Sequence, residues 1–178
     1  MLHIAPVTLP NVLGVLALFT YIVTLLPTNL RVVFPSSRRT KIPTQLLKYR
    51  RWIGILAFLI ALAHAYLLVI KRSYDFLDLK TYFIYFPGLA SFLILIILTV
   101  TSNQWSVKKL KKNWKRLHQL TYWAMFLLCW HIFATMLGHG TYLTFLGIFG
   151  ITLIMVLYLR RRWIEEEKQK VKEQKLQA

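Results

Sequence analysis

Positions 52–70 read WIGILAFLIALAHAYLLVI, an apolar run without Asp, Glu, Lys or Arg that contains one histidine, His64. A helix needs roughly 20 mostly apolar residues to cross a bilayer. The run therefore predicts a transmembrane helix. Its histidine is a candidate functional residue, because an ionisable side chain is costly inside hydrocarbon.

Four further runs of similar length also lack charged residues, and they cover 7–26, 82–100, 117–137 and 142–159. Only a helix satisfies its backbone hydrogen bonds within a single span, and runs this long do not fit barrel strands. The sequence therefore predicts an all-α polytopic membrane bundle of five transmembrane helices. We expect residues 1–160 to form this bundle and residues 161–178 to form a charged cytoplasmic helical tail.

The charged residues predict the orientation of the bundle. The 178 residues include 23 Lys plus Arg against 6 Asp plus Glu, for a net charge of +17. Twenty of the 23 cations lie in 31–51, 108–116 and 160–175, which five crossings place on one side of the membrane. The positive-inside rule then puts the N-terminus outside and the C-terminus in the cytoplasm. Because the cations stand in blocks between spans, they indicate topology rather than a nucleic-acid-binding face. Docking of an anionic partner or of membrane lipid headgroups is a further role left open for these blocks.

Two histidines are predicted to lie at the same depth in the bundle. His64 follows Arg51 by 13 residues and His131 follows Arg116 by 15. At about 1.5 Å per residue, both rings lie roughly 20 Å from the cationic side. Two imidazoles alone satisfy a metal ion poorly, whereas a haem supplies four nitrogens and needs only axial ligands. The sequence thus favours a haem between His64 and His131.

Small residues beside these histidines also favour binding of a flat ligand. They are Gly54, Ala57, Ala61 and Ala65 on the helix of His64, and Ala124 on the helix of His131. Such rows either leave space for a cofactor or let two helices pack closely. The single cysteine, Cys129, excludes an intramolecular disulfide framework and a CxxC metal site.

His118 cannot share the same haem with His131. It precedes His131 by 13 residues, which is about 20 Å along a helix, and the two rings point about 140° apart. Three roles stay open for His118: ligand of a second haem with a partner that is not histidine, hydrogen-bond partner of a propionate or quinone, or an interfacial side chain. We expect His139 to lie in a surface loop and His3 to be exposed.

Two stretches resemble a known family. Arg50-Arg51-Trp52-Ile53-Gly54 precedes Ala63-His64-Ala65-Tyr66, and later Trp114-Lys115-Arg116-Leu117-His118-Gln119-Leu120-Thr121-Tyr122 is followed by His131. This pattern resembles the ferric reductase-like transmembrane domain, and within it the haem-binding membrane subunits of bacterial periplasmic methionine-sulfoxide reductase systems. Relatives of the oxidase and ferric reductase type carry a second histidine on the helix of His64, which this chain lacks.

The resemblance implies a b-type cytochrome in the bacterial inner membrane. By this likeness, His64 and His131 are the axial iron ligands of haem b and His118 is a further haem-associated residue. Electrons would come from quinol or a cytoplasmic flavin reductase and pass to a periplasmic acceptor, such as a methionine-sulfoxide reductase. A second haem, FMN or a quinone are the further cofactors considered.

Two other functions remain open at the level of sequence. One is direct reduction of ferric or cupric chelates without a protein partner. The other is a non-redox scaffold or transport subunit, which predicts a colourless protein. The spans lack carboxylates, which disfavours proton-coupled transport.

Overall fold

The computed structural model describes residues 6–71 and 79–177, and nearly all of them are helical. Within these residues the chain forms seven α-helices and a 3-10 turn, and it has no β-strand. The helices are α1 (Leu9–Val33), α2 (Lys41–Lys71), α3 (Leu79–Val100), α4 (Gln104–Leu110), α5 (Lys112–His118), α6 (Leu120–His139) and α7 (Tyr142–Gln177), with the turn at Pro35–Arg39. The predicted all-α fold is confirmed.

The described helices include four that are long and apolar enough to span a membrane, within Leu9–Val33, Lys41–Ile70, Lys112–Leu137 and Tyr142–Gln177. The remaining predicted span corresponds to α3. Its segment Tyr85–Val100 passes the same test together with Gln104–Leu110, to which it is bent by 94°. The bundle therefore has five candidate spans when this bent pair is counted as one.

The bend after α3 is built by local sequence. The Asn103 side chain accepts a hydrogen bond from the backbone N–H of Ser106 (2.7 Å) and so caps the start of α4. Lys111, with φ 47°, separates α4 from α5. The first break bends α4 by 94° from α3, and α5 begins after the second break, ends at His118 and belongs to the candidate span Lys112–Leu137.

The long helices pack around one core but leave a gap. Helix α1 packs on α2 and α7, α3 packs on α6, and α6 packs on α7. In the described part of the chain, α2 and α6 share at most an isolated backbone approach. The core residues come from all five long helices and include Leu25, Ala57, Leu95, Met125 and Ile151. The two histidine-bearing helices thus face each other across open space.

The outside of the bundle is apolar, as a lipid-facing surface requires. Large exposed hydrophobic side chains such as Leu59, Leu93 and Leu153 are each about half exposed. Helix α7 has 36 residues, or about 54 Å, against a hydrocarbon thickness of about 30 Å. Its charged C-terminal part therefore continues as a helix beyond the apolar zone.

Candidate haem site and a neighbouring cationic cavity

A cavity of about 600 Å³ lies between the helices and is lined by both His64 and His131. We call it the histidine cavity. Its volume falls within the ordinary range of ligand and cofactor sites, about 300–1,000 Å³. The structure therefore brings together the two histidines that the sequence placed at equal depth.

His64 is held by the neighbouring helix α1. Its Nδ1 lies 2.7 Å from the carbonyl oxygen of Pro10. Because a carbonyl can only accept, Nδ1 carries the hydrogen and Nε2 is the unprotonated nitrogen in the neutral ring. The ring also lies directly against Gly14, where a Cβ would come within 2.9 Å of His64 Cε1. A neutral imidazole with a free Nε2 lone pair is suited to bind iron.

His131 has an equivalent neighbour on α3. A Cβ at Gly88 would come within 2.8 Å of His131 Cε1 and 2.9 Å of its Nδ1. Gly88 follows Pro87, whose carbonyl accepts a hydrogen bond from the Ser91 hydroxyl (2.6 Å). The ring of each histidine thus approaches the backbone of a different helix at a glycine.

The remaining lining of the histidine cavity fits a flat apolar group. Small residues on three helices open the space: Gly14, Ala57, Ala61, Ala65, Gly88 and Ser91. Larger aliphatic and aromatic side chains, such as Leu68 and Phe92, complete the wall. Neither Asp nor Glu is among the described lining residues. A porphyrin has an apolar face and two axial positions, so these residues fit haem.

The positions of the small residues differ partly from the sequence expectation. Ala57, Ala61 and Ala65 line the histidine cavity as predicted, whereas Gly54 lines a different cavity. Ala124 is fully buried in the core and is not among the lining residues. Small residues of α1 and α3, rather than Ala124 of α6, line the histidine cavity together with those of α2. The cavity is therefore bounded by α1 and α3 as well as by α6.

A second cavity of about 740 Å³ lies at the end of the bundle occupied by α4 and α5. We call it the cationic cavity, because its lining includes Arg50, Arg51, Lys115 and Arg161 and no Asp or Glu among the described residues. Such a concentration of one charge attracts anionic groups. His118 lines this cavity and not the histidine cavity, in agreement with its predicted separation from His131.

His118 is held in a different way from His64. Its Nε2 lies 3.3 Å from the Thr101 hydroxyl, and its ring lies 4.1 Å from the Trp114 ring between centroids. The Trp114 indole N–H donates to the Thr101 carbonyl (2.9 Å), which fixes the pair. His118 therefore has its Nε2 directed at a protein partner, unlike His64.

One of the cations is fixed by polar partners. The Arg161 guanidinium donates to the Tyr122 hydroxyl (2.7 Å) and to the Glu165 carboxylate (2.8 Å). Glu165 is thus an anion that compensates one cation of the cavity from outside its lining. Arg50, another lining residue, has its guanidinium 3.5 Å from the Thr28 hydroxyl.

The two cavities are close neighbours. Tyr21 and Leu95 line both of them. The Tyr21 hydroxyl donates to the carbonyl of Thr121, and its side chain is 3% exposed. The two cavities therefore share part of their wall.

The other histidines of the sequence lie elsewhere. His3 lies outside the described residues. His139 is the last residue of α6, immediately before the short connection to α7, so the prediction that it lies in a loop is wrong. Within the described residues, no three His, Cys, Asp or Glu side chains cluster to hold a bare metal ion.

Sequence reasoning missed the residues that hold the histidines. Pro10, Gly14 and Gly88 were not singled out, although a glycine inside an apolar helix is itself a signal of close approach. Which partner approaches each glycine depends on how the helices pack, and one sequence does not contain this information.

Residues 13–129 match the family described as ferric reductase like transmembrane component. Two relatives are the protein-methionine-sulfoxide reductase heme-binding subunits MsrQ of Brucella anthropi (34% identical) and Brucella ovis (37% identical). Each similarity covers 123 residues, 66% of this chain and 52% of the relative, so the chain spans about half the length of these relatives. No solved structure matches the chain.

Proposed function

The chain belongs to the family of ferric reductase-like transmembrane components, and we propose that it is a b-type cytochrome, the haem-binding electron-transfer subunit of a membrane oxidoreductase. In this proposal, His64 and His131 are the axial ligands of one haem b in the histidine cavity. Electrons enter from quinol or a flavin reductase and leave to a periplasmic acceptor. The names of the relatives support a methionine-sulfoxide reductase as that acceptor.

One observation carries the proposal: two imidazoles from α2 and α6 line the same apolar cavity while these helices stay apart. Helices without a ligand between them would gain by closing, since tight packing drives association in membranes. Haem bound there supplies a one-electron carrier whose charge is delocalised in a low-dielectric environment. The protein holds each ring against a glycine, keeps His64 Nε2 unprotonated, and excludes water with an apolar lining.

A second carrier in the cationic cavity would complete the path across the membrane. A haem at the depth of His64 and His131 would leave roughly 20 Å to the cytoplasmic face, which is too long for a single carrier to bridge efficiently. The four cations and His118 suit the propionates of a second haem or the phosphate of FMN, and the cavity also has room for a quinone. Because Tyr21 and Leu95 line both cavities, the two carriers would lie in cavities that share part of their wall.

The cationic cavity marks the cytoplasmic end in this proposal. The segments that supply its cations are the basic segments that the positive-inside rule assigns to the cytoplasm. The N-terminus then lies outside, the tail 161–178 is cytoplasmic, and the histidine cavity opens nearer the periplasm. The protein resides in the bacterial inner membrane.

The test is the visible spectrum of the purified protein, oxidised and then reduced with dithionite. We expect the bands of a six-coordinate b-type haem. His64→Ala and His131→Ala should each remove most of the pigment, because each takes away one axial ligand. His118→Ala is the matched control and should keep the pigment of the histidine cavity. A colourless parent protein would contradict the proposal and favour a non-redox scaffold or transport subunit.

Direct reduction of ferric or cupric chelates is the second candidate, favoured by the description of the matching family. Reduced, purified protein mixed with a ferric chelate distinguishes the two functions. Rapid reoxidation without any partner protein supports the metalloreductase. Reoxidation only after addition of a periplasmic methionine-sulfoxide reductase supports the electron-transfer subunit.

A further inference from the structure

The two histidines of the histidine cavity contact neighbouring helices in the same way. In each case Cε1 and Nδ1 are the ring atoms closest to a glycine: Gly14 of α1 for His64 and Gly88 of α3 for His131. The third close atom is Nε2 at Gly14 and Cγ at Gly88. Among the glycines that the structure describes, only these two leave less than 3.0 Å for a Cβ. A Cβ that close to a ring atom would force the imidazole to move.

We infer that Gly14 and Gly88 are positioning residues that seat the two haem-ligating imidazoles, and that the Pro10 carbonyl tunes His64 as a ligand. This inference rests on the proposed function. It gives α1 and α3 a role in the redox site, although the proposed ligands lie on α2 and α6.

The arrangement at His64 has a direct chemical consequence. The carbonyl of Pro10 lies one helical turn before Gly14. Because Gly14 has no side chain, the His64 ring can approach α1 closely enough for Nδ1 to lie 2.7 Å from that carbonyl. A hydrogen bond from Nδ1–H to an acceptor raises the basicity of the other ring nitrogen. A more basic imidazole stabilises ferric over ferrous iron, which lowers the reduction potential.

Other close glycine contacts in the bundle differ in kind. A Cβ at Gly150 would meet Phe19 Cε1 at 3.0 Å and Ile22 Cδ1 at 3.2 Å, both of them apolar atoms at the α1–α7 contact. Gly150 lines neither cavity. It is therefore a matched position for testing ordinary helix packing against the seating of a histidine.

The experiment compares Gly14→Ala with Gly150→Ala in the full-length, haem-loaded protein. Alanine is a better helix former than glycine, so a loss in either variant does not come from helix propensity. We expect Gly14→Ala to weaken haem retention about 10- to 100-fold, the usual cost of disturbing a partner of a metal-ligating histidine. The haem that remains should have a more positive midpoint potential and altered g-values in the ferric electron paramagnetic resonance spectrum.

Gly150→Ala should keep the haem content, potential and g-values of the parent. Equal changes in both variants would overturn the inference, since packing alone would then explain them. Unchanged haem content, potential and g-values in Gly14→Ala would overturn it as well. If Gly14→Ala is not recovered in folded form, Gly88→Ala, which crowds His131, tests the same positioning role of a glycine.

Failure of the inference can be distinguished from failure of the proposed function. If His64→Ala retains the pigment, the proposed ligand is wrong and the inference falls with it. If His64→Ala loses the pigment while Gly14→Ala behaves as the parent, only the role of the glycine is wrong.

Discussion

The histidine cavity and the cationic cavity lie next to each other but are built on opposite principles. The first has an apolar wall, small residues and two imidazoles, and its described lining contains no cation. The second has Arg50, Arg51, Lys115 and Arg161 in its lining. The difference indicates that the first space is shaped for a flat apolar group, and the second for a group that carries negative charge.

His64 of the histidine cavity and His118 of the cationic cavity also differ in their hydrogen bonds. His64 donates a hydrogen bond from Nδ1 to a backbone carbonyl, whereas His118 directs Nε2 at Thr101 and lies against Trp114. In the proposed function, His64 would ligate iron through Nε2 without giving up its hydrogen bond to Pro10. His118 would have to give up its contact with Thr101 before its Nε2 could ligate.

The largest expected effect comes from filling the histidine cavity. Ala61→Phe places a large ring in the space where the small residues leave room, so we expect almost complete loss of haem while the helices stay formed. Haem content per protein and far-ultraviolet circular dichroism check this. Leu59→Phe, on the same helix but half exposed on the outer surface, is the control and should keep its haem. Normal haem content in Ala61→Phe would show that the cofactor lies elsewhere.

His118→Ala is expected to have the next largest effect, on electron flow rather than on the first haem. Without the His118 side chain the second carrier loses a direct partner, so the rate of transfer from a cytoplasmic donor should fall about 10-fold or more. When occupancy of the cationic cavity limits electron flow, the loss of one hydrogen bond to a charged group, about 1.5–3 kcal/mol, lowers that occupancy about 10-fold or more. Reduction of the haem in membrane vesicles, followed by absorbance, measures this rate. Unchanged haem content together with unchanged electron flow would remove His118 from the path.

The sequence was sufficient to predict the apolar helices and the proximity of His64 and His131, which line one cavity. Charge-free runs long enough to span a membrane form helices, because the backbone has no water to bond to in the bilayer. The similar distances of His64 from Arg51 (13 residues) and of His131 from Arg116 (15 residues) predicted their common cavity, because depth along parallel helices follows directly from residue number. The bend at Asn103 and Lys111 was not predicted, since it depends on local caps and on one positive φ angle.

The sequence did not predict which residues of other helices pack beside each histidine. Ala124 was expected beside His131 from helical periodicity, yet it is buried in the core instead. Gly88, from a different helix, occupies the position next to the ring. Periodicity gives the direction of a side chain relative to its own helix but not which helix lies on that side.

Arg161→Gln is expected to weaken binding of the proposed second carrier, with a smaller effect than that of His118→Ala. The guanidinium is a charge-assisted donor, and the loss of one such bond costs about 1.5–3 kcal/mol, or at least 10-fold in affinity. The amount of haem or FMN bound in the cationic cavity should fall accordingly, as measured by pigment extraction and flavin fluorescence. Arg162→Gln is the control, because Arg162 is exposed and is not among the lining residues. Insensitivity to Arg161→Gln would favour an uncharged quinone in that cavity.

The smallest expected effect has the opposite sign and concerns Glu165. Its carboxylate pairs with Arg161 at 2.8 Å, and it is partly exposed, so the pair contributes only about 0.2–1 kcal/mol. Glu165→Gln removes this competing anion, and the freed charge of Arg161 should strengthen retention of an anionic carrier by up to about 5-fold. The control is Glu166→Gln, which breaks the pair with the exposed Arg162 and should leave retention unchanged. If Glu165→Gln weakens retention instead, Glu165 acts mainly by holding Arg161 in place, and geometry rather than net charge determines what the cationic cavity binds.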